Sequence, residues 1–242
     1  MTILVLAGTS EGKEIATSLA ALGVRAVASL AGATRAPKPL DLPTRVGGFG
    51  GEEGFLDYLK VAKIKAVIDA THPFASQITD RTAGVCATLN MPYLQVLRPA
   101  WESQEGDNWA EIAREENAAD FIPLGATVFL GTGRQTLDRF TGLEGRRVIC
   151  RQIDPPTAPF PFEGGEFLIG RPPFPVEREK TLFAALGVEW IVVKNAGGVA
   201  SATKLTAARE LGIPVLMIAR PPMPDAMRVA TVGEAVSWVQ SL

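Results

Sequence analysis

The chain is poor in the residues that build metal centres, since its 242 positions hold two cysteines and one histidine. It contains no Cys-x-x-Cys pair, and His72 is the only imidazole available, so a Cys/His zinc site is not expected. Cys86 falls in a segment of helical period, and Cys150 ends a predicted strand. Both cysteines are therefore predicted to be small buried hydrophobic residues.

Long apolar runs and a surplus of charge of one sign are missing too. No run reaches the roughly 20 residues of a membrane-spanning helix, and the N-terminus enters a strand without a signal-type segment. The 24 basic and 26 acidic residues nearly cancel, which argues against a nucleic-acid or membrane-surface role but allows a local basic pocket. We expect a cytoplasmic protein that acts on a small molecule. Its oligomeric state is open, a monomer included.

The scarcity of tyrosine excludes one common kind of dehydrogenase. A short-chain-type enzyme acting on a hydroxyl needs a Tyr-x-x-x-Lys pair. The two tyrosines, Tyr58 and Tyr93, are followed four residues later by Ala62 and Leu97. That chemistry is therefore not available to this chain.

What the sequence does contain is an alternation of short apolar runs with segments of helical period, typical of an α/β fold with a parallel sheet flanked by helices. Strands are predicted at Ile3–Leu6, Arg25–Ser29, Ala66–Asp69, Tyr93–Val96, Thr127–Leu130, Arg147–Cys150, Trp190–Lys194 and Val215–Ile218. Helices are predicted at Glu11–Leu22, Glu52–Ala62, Phe74–Leu89, Val176–Leu186, Ala202–Leu211 and Gly233–Gln240.

The second half of the chain repeats features of the first. The segment 89–99 resembles 211–221, and Ile3–Ser10 resembles Val128–Arg134, in the same order. We therefore expect two Rossmann-like parallel-sheet lobes with a pseudo-duplicated architecture and an interdomain cleft. The predicted boundary follows Arg98, giving a cofactor-binding domain over 1–98 and a substrate-binding domain over 99–242.

The first strand is followed by a glycine turn and a helix start, an arrangement that binds phosphates. Its candidate cofactor residues are Gly8, Thr9, Ser10, Glu11 and Gly12. Glycines let the backbone approach a pyrophosphate, the helix N-terminus offers free N–H groups, and the hydroxyls add donors. The spacing fits neither the full G-x-G-x-x-G fingerprint nor a Walker loop. The alternative is a capped helix start in a protein that binds no nucleotide.

The end of the second strand bears on the choice of nicotinamide cofactor. NAD sites place an acid there to hold the ribose hydroxyls. The stretch 29–35 has no acid, whereas Ser29, Thr34 and Arg35 could accommodate a 2′-phosphate. The sequence therefore favours NADPH over NADH.

The loop after the third predicted strand adds two candidates to the cofactor site. Thr71 and His72 follow the buried strand, and Pro73 is predicted to lie in the first turn of the next helix. The carboxyl end of a strand is where ligands bind in such sheets. The alternative for His72 is a helix-entry residue hydrogen-bonded to backbone.

In the second half, cations recur where strands should end, which suits a substrate with several carboxylates. The candidate substrate-binding residues are Arg134, Arg151, Arg171, Lys194, Asn195, Gly197, Gly198 and Lys204. A well-formed arginine–carboxylate contact contributes roughly 1.5–3 kcal/mol. The alternative is surface cations paired with nearby acids. That reading is preferred for Arg178 and Lys180, which lie beside Glu177 and Glu179.

The chain resembles the precorrin-6A reductase family of cobalamin biosynthesis over nearly its whole length. The matching stretches are Leu6–Gly12, Asp69–Ala75, Arg98–Trp101, Leu130–Arg134, Pro173–Glu177, Val193–Gly198, Lys204 and Leu211–Val215. The chain departs from the family pattern at Ala7, where glycine is usual, and over 29–35.

The resemblance implies an NADPH-dependent oxidoreductase that transfers hydride to one double bond of the precorrin-6A macrocycle, giving precorrin-6B. It also implies two flexible lobes that clasp the tetrapyrrole. Our hypothesis places the nicotinamide over the loop 69–74, with His72 and Lys194 as candidate proton donors and water as a third. Two alternatives stay open: reduction of the cobalt-containing precorrin, and a non-catalytic module that binds NADPH and a tetrapyrrole.

Overall fold

Every strand and long helix expected from the sequence is present in the computed structural model, which describes residues 1–32 and 39–242. The strands are β1 (Thr2–Ala7), β2 (Ala26–Leu30), β3 (Thr44–Val46), β4 (Ile64–Ala70), β5 (Tyr93–Val96), β6 (Trp109–Ile112), β7 (Thr127–Leu130), β8 (Arg147–Gln152), β9 (Gly165–Ile169), β10 (Trp190–Lys194), β11 (Val215–Ile218) and β12 (Arg228–Val229). The α-helices are α1 (Ser10–Ala21), α2 (Gly51–Val61), α3 (Ser76–Thr88), α4 (Ala118–Phe121), α5 (Val176–Leu186), α6 (Thr203–Leu211) and α7 (Val232–Gln240). Short 3-10 helices cover Glu115–Asn117, Arg134–Leu143 and Val199–Ser201.

The strands form two parallel sheets of six strands each, so the predicted α/β class is confirmed. One sheet has the order β12-β5-β4-β1-β2-β3 and the other β6-β11-β10-β7-β8-β9. β1 and β7 hold the same place in their sheets, and so do β5 and β11. These are the strands of the two repeated segments, which agrees with the duplication found in the sequence.

The chain leaves the first unit and later returns to it, which the sequence did not indicate. One compact unit comprises Met1–Pro99 with Pro221–Leu242, and the other comprises Ala100–Arg220. The sequence-based division placed residues 221–242 in the second domain. In the structure β12 pairs with β5, and α7 packs into the core of the first unit, because Ala235 and Val239 find their apolar partners there.

The strands that the sequence patterns missed are β3, β6, β9 and β12, which lie at the sheet edges. β3 and β12 span three and two residues, too few to show a period. β9 has no fully buried side chain. An edge strand has one neighbour only, and its sequence therefore lacks the continuous apolar run of a central strand.

Alternate side chains of β1 enter two separate cores, one on each face of the first sheet. Ile3 and Val5 pack with Ile15 of α1, whereas Leu4 packs with Phe55 of α2 and with Cys86 of α3. A central parallel strand covered by helices on both faces is apolar throughout for this reason.

Both cysteines are buried, as predicted. Burial raises the pKa of Cys86 and of Cys150 to about 12, with Asp69 adding to the effect at Cys86. Neither thiol is therefore prepared for nucleophilic chemistry at neutral pH.

Candidate active site

Thr9 caps α1 in the turn that follows β1. Its hydroxyl accepts a hydrogen bond from the Gly12 N–H at 3.2 Å and donates one to the Ala70 carbonyl at 2.9 Å. The Gly8 N–H donates to the same carbonyl at 3.2 Å. The Thr9 hydroxyl is thus used within the protein, which differs from the ligand-donor role predicted for it. Ser10 is exposed at the start of α1, where its N–H and its hydroxyl, which donates to Glu11 Oε2 at 3.1 Å, could meet a phosphate.

The two glycines of this turn allow different close approaches. A Cβ at Gly12 would lie 3.0 Å from the Ala7 Cα and 3.3 Å from the Ala70 Cβ, so buried Gly12 lets α1 pack on the sheet. A Cβ at exposed Gly8 would lie 3.3 Å from the Thr71 Cα. Gly8 therefore lets the turn approach the loop after β4, and Gly12 has a packing role.

Glu11 holds an arginine beside the helix start. Its Oε2 accepts from Arg98 at 2.7 Å, and the two side chains are only 21% and 13% exposed. Burial alone would raise the pKa of Glu11, but the bond to its own N–H and the Arg98 guanidinium hold that pKa below its ordinary value. A charged carboxylate repels phosphate, so Glu11 is better suited to orienting Arg98 than to touching the cofactor.

Arg45 lies on β3, beside the carboxyl end of β2, and is a candidate that the sequence patterns did not indicate. Its Nη1 donates to the Ser29 hydroxyl and to the Gly47 carbonyl, both at 2.8 Å, and its Nη2 donates to the Gly48 carbonyl at 2.8 Å. The guanidinium carbon lies 3.9 Å from the centre of the Phe49 ring. These contacts fix a planar cation where a 2′-phosphate would be expected.

The pairing of β2 with β3 explains why Arg45 escaped notice. Ser29 and Arg45 are direct neighbours in the parallel register, although 16 positions separate them in the chain. The other two residues predicted for the same part of the site, Thr34 and Arg35, lie outside the described residues.

Asp69 organises the loop that follows β4. The buried carboxylate accepts from the Thr71 N–H at 3.0 Å and the Thr71 hydroxyl at 2.7 Å through Oδ1, and from the Tyr93 hydroxyl at 3.0 Å through Oδ2. Burial and the neighbouring Asp69 raise the pKa of Tyr93 above its ordinary value. Asp69 was not predicted as a site residue, and the structure shows that its carboxylate holds Thr71.

One ring nitrogen of His72 is hydrogen-bonded within the residue's own loop. Its Nδ1 accepts from the Phe74 N–H at 3.3 Å, so a neutral ring carries its proton on Nε2. The His72 carbonyl accepts from the Ala75 N–H at 2.8 Å. Because residues 72–75 form these turn hydrogen bonds, α3 begins at Ser76 and not at Phe74 as predicted. Pro73 therefore precedes the helix and does not lie in its first turn.

In the second unit, Lys194 ends β10 and is bound to an acid. Its Nζ lies 3.2 Å from Glu115 Oε1 and donates to the Thr136 hydroxyl at 3.0 Å. Burial lowers the pKa of Lys194, although Glu115 acts against this effect. The Glu115 carboxylate also contacts Arg139 at 3.5 Å. Lys194 therefore has a fixed position and a compensated charge.

The Lys194–Glu115 pair should make the free energy of unfolding depend on pH in the acidic range. Burial alone would raise the pKa of Glu115, but its own N–H, Lys194 and Thr136 hold it below its ordinary value. A carboxyl pKa depressed by folding stabilises the protein above the unfolded pKa of about 4.3 and loses that effect as pH falls. Glu115→Gln should therefore lower the free energy of unfolding by about 2–3 kcal/mol at pH 7 and much less at pH 3.

Urea unfolding at the two pH values measures this difference. Glu116→Gln is the matched control, since the neighbouring glutamate is exposed and should change stability by less than about 0.5 kcal/mol. An equal loss for Glu115→Gln at pH 7 and pH 3 would contradict an electrostatic origin.

The loop after β10 is shaped by Asn195 and Trp101. The Asn195 Oδ1 accepts from the Trp101 N–H at 2.8 Å, and its Nδ2 donates to the Trp101 carbonyl at 3.0 Å. The Trp101 indole N–H donates to the Gly198 carbonyl at 3.0 Å. Gly197 and Gly198 adopt φ of +69° and +84°. The amide of Asn195 is thus used within the protein, which favours a loop-shaping role over the predicted contact with substrate.

Lys204, near the start of α6, reaches the end of β7. Its Nζ donates to the Ser201 carbonyl at 2.6 Å and lies 5.7 Å from the centre of the Trp101 ring. A Cβ at Gly131 would lie 3.4 Å from the Lys204 Cδ, so Gly131 leaves room for the lysine stem. Burial lowers the pKa of Lys204 to about 8, with Glu179 opposing this shift and Arg151 adding to it.

Arg151 is buried and already has a carboxylate partner. Its Nη1 and Nη2 donate to the two oxygens of Glu179 at 2.7 and 2.5 Å. The guanidinium carbon lies 4.6 Å from the centre of the Phe129 ring and 4.1 Å from that of Phe174. This arrangement differs from the substrate clamp predicted for Arg151, because its charge is compensated inside the protein.

A cavity of about 270 Å³ lies beside this ion pair, at the ends of β8 and β9. Arg171 lines it and makes a 3.7 Å contact with Asp154. Arg178 lines it too, and in the described part of the chain its guanidinium has no ion pair. This differs from the surface ion pair predicted for Arg178.

Two further cations of the second unit, Arg134 and Lys180, lie at its surface. Arg134 is exposed at the start of its 3-10 helix. Lys180 pairs with Glu177 at 3.3 Å, which confirms the surface pair predicted for it. Within residues 1–32 and 39–242, no cluster of Cys, His, Asp or Glu could hold a metal ion, and no helix is long and apolar enough to cross a bilayer.

Comparison with known proteins gives matches over nearly the whole chain. The profile of the family described as "Precorrin-6x reductase CbiJ/CobK" matches residues 2–240. A protein of Rhodococcus erythropolis named precorrin-6A reductase is 41% identical, over 99% of this chain and 98% of its own. A cobalt-precorrin-6A reductase of Priestia megaterium is 27% identical, over 97% and 96%. The solved structure "CobK precorrin-6A reductase" superposes with a TM-score of 0.95 at 38% identity, over 100% of this chain and 96% of that one.

Proposed function

The chain belongs to the precorrin-6x reductase family, an oxidoreductase family of cobalamin biosynthesis, and from this premise we propose that it reduces one double bond of precorrin-6A with NADPH. The observation that carries the proposal is the match over residues 2–240, which includes both sheets and all the loops at their carboxyl ends. The product would be precorrin-6B. The cytoplasmic location stays a prediction.

Several groups of the first unit support the choice of NADPH. The N–H groups at the start of α1 and the Ser10 hydroxyl suit its pyrophosphate. Ser29 and Arg45 suit the 2′-phosphate, and Ser29–Gly32 has no acid that would hold the free ribose hydroxyl of NADH. When bound, NADPH supplies the hydride.

Arg45 should determine the preference for NADPH. A hydrogen-bonded contact to a charged group contributes roughly 1.5–3 kcal/mol, so Arg45→Met should raise KM for NADPH about 10–100-fold. KM for NADH should stay within about threefold, since NADH has no 2′-phosphate for Arg45 to bind. Steady-state oxidation of each cofactor measures the two values.

Arg25→Met is the matched control for this experiment. Arg25 is exposed at the amino end of β2, away from the edge where ligands bind, and its loss should leave both KM values unchanged. Equal increases in KM for NADPH and NADH in Arg45→Met would indicate a local structural role and overturn the assignment.

The second unit would bind the macrocycle through its side-chain carboxylates. Arg171 and Arg178 line the cavity beside β8 and β9. Arg134 starts the 3-10 helix after β7, Lys194 ends β10, and Lys204 lies in the first turn of α6. Guanidinium and ammonium groups are the usual partners of carboxylates in proteins. Gly197 and Gly198 would let the loop after β10 approach the ring.

A direct assay tests the proposed function. The purified protein is incubated with precorrin-6A and NADPH, and the products are analysed by mass spectrometry. NADPH oxidation matched by a product heavier by two hydrogens supports the proposal. Binding of both ligands with NADPH oxidation at the background rate would instead indicate the non-catalytic module.

The same assay with cobalt-precorrin-6A tests the second candidate substrate. The metal-free substrate is favoured because the relative named for it is 41% identical, against 27% for the Priestia relative named for the cobalt form. We therefore expect kcat/KM to be higher with precorrin-6A. A higher value with the cobalt form would overturn that choice and leave the reaction type unchanged.

A further inference from the structure

Reduction of a carbon–carbon or carbon–nitrogen double bond adds a hydride to one atom and a proton to its neighbour, and the source of that proton is open. Two lysines lie at the carboxyl edge of the second sheet, Lys194 at the end of β10 and Lys204 beside Gly131 after β7. Their surroundings differ, and the difference separates a fixed charge from a proton donor.

Lys194 is unsuited to giving up a proton. Its Nζ lies 3.2 Å from the buried carboxylate of Glu115 and also donates to Thr136. A neutral amine in that place would leave the carboxylate of Glu115 without this ammonium partner in a buried position, which is costly.

Lys204 has the opposite surroundings. Its Nζ donates one hydrogen bond, to the neutral Ser201 carbonyl, and in the part of the chain that the structure describes no carboxylate lies within 4.0 Å of it. Its stem is held against Gly131, and the Trp101 ring lies 5.7 Å from the ammonium. The position of Lys204 is therefore fixed, and loss of its charge would leave no buried carboxylate without a counter-ion.

We propose that Lys204 is the acid that protonates the macrocycle, an inference that rests on the proposed function. The hydride of NADPH forms a C–H bond at one end of the double bond. The neighbouring carbon takes a proton from Lys204 Nζ, so that one N–H bond breaks and a second C–H bond forms. Lys204 is left as a neutral amine and regains a proton from water.

The electrostatics of the second unit agree with this role. Burial lowers the pKa of Lys204 to about 8, where an acid is still mostly protonated at neutral pH and yet transfers its proton readily. Among the charged groups packed around it, Glu179 of α5 raises this pKa and Arg151 of β8 lowers it.

Two variants and one pH profile test the proposal. Lys204→Arg keeps a cation that could anchor a carboxylate but does not deprotonate at ordinary pH, and Lys204→Met removes both functions. Both should lower kcat with precorrin-6A by about 100-fold or more, with KM for NADPH within about twofold. Wild-type kcat should fall as pH rises through about 8, and the residual rate of Lys204→Arg should show no such decline.

The control is Lys180→Arg, a lysine of α5 engaged in surface pairs with Glu177 and Glu210, which should keep wild-type kcat. A kcat within about threefold of wild type in Lys204→Arg, or a wild-type kcat constant between pH 7 and 9, would overturn the assignment. If the wild-type protein does not oxidise NADPH with precorrin-6A, the proposed function itself fails, and the two failures are distinguished by that single measurement.

Discussion

Glu179→Gln is expected to lower the free energy of unfolding by about 3–5 kcal/mol, because it leaves the Arg151 charge buried without a counter-ion. Glu179 is 1% exposed and Arg151 9%. The guanidinium carbon lies 4.6 Å from the centre of the Phe129 ring and 4.1 Å from that of Phe174, so its surroundings besides Glu179 are largely apolar. Urea unfolding at pH 7 measures the loss.

The same strand supplies a matched control for this substitution. Arg147, also on β8, binds Glu166 at 2.7 Å, but both side chains are about half exposed. Solvent screens such a pair, so Glu166→Gln should cost less than about 1 kcal/mol. Similar losses for the two variants would contradict the view that burial decides the contribution of the pair.

A double replacement separates the pair's own contribution from the cost of breaking it. Arg151→Met with Glu179→Leu removes both charges and keeps similar apolar volume. Such replacements of buried ion pairs are often neutral or stabilising by about 1–4 kcal/mol. We expect the double variant to regain most of the stability lost in Glu179→Gln. A loss as large as that of the single variant would mean that the pair itself stabilises the fold.

The central architecture could be predicted because its signals are local. β1, β4, β7 and β10 each contain a continuous apolar run, and the Gly8–Gly12 turn lies between a strand and a helix. The repeated segments gave the equivalence of β5 and β11. The return of residues 221–242 to the first unit could not be predicted, since a two-residue edge strand carries no information on its partner.

Some residues of the candidate site could be placed from the sequence, but neither their roles nor Arg45 could be predicted. Residue type and predicted strand ends indicated that Lys194, Asn195 and Arg151 lie at the carboxyl ends of strands in the second sheet, as the structure shows. Their partners are distant in the chain: Glu115 for Lys194 and Trp101 for Asn195. The residue type alone does not show whether a side chain makes its hydrogen bonds within the protein or to a ligand, so only the structure distinguishes the two cases.

Replacement of buried Asp69 should disturb the loop after β4, which is predicted to contact the cofactor. Asp69→Ala removes the acceptor of the Thr71 N–H, the Thr71 hydroxyl and the Tyr93 hydroxyl. Hydrogen bonds to a charged group contribute about 1.5–3 kcal/mol each, and part of this returns as water solvates the freed groups. We expect the free energy of unfolding to fall by about 3 kcal/mol, on the scale of the larger single-residue effects.

Asp69→Ala should also lower turnover in the molecules that remain folded. Thr71 is adjacent to His72 in the loop that we propose lies beside the nicotinamide, and a displacement of about 1 Å in a reacting geometry can cost about 100-fold in rate. We expect kcat/KM with precorrin-6A to fall by about that factor at a temperature where the variant is folded, as checked by circular dichroism.

Two further variants distinguish positioning from general destabilisation. Tyr93→Phe removes only the bond to Oδ2 and should cost about 1 kcal/mol with kcat/KM within about threefold. Asp69→Asn keeps an oxygen that can accept from both donors of Thr71, so it should recover most of kcat/KM. If Asp69→Asn were as inactive as Asp69→Ala, or if Tyr93→Phe lost as much activity, the hold on Thr71 would not be the cause. The Thr9–Ala70 bond at the end of β4 would then be the next contact to test, and Thr9→Val would be expected to have the large effect on kcat/KM.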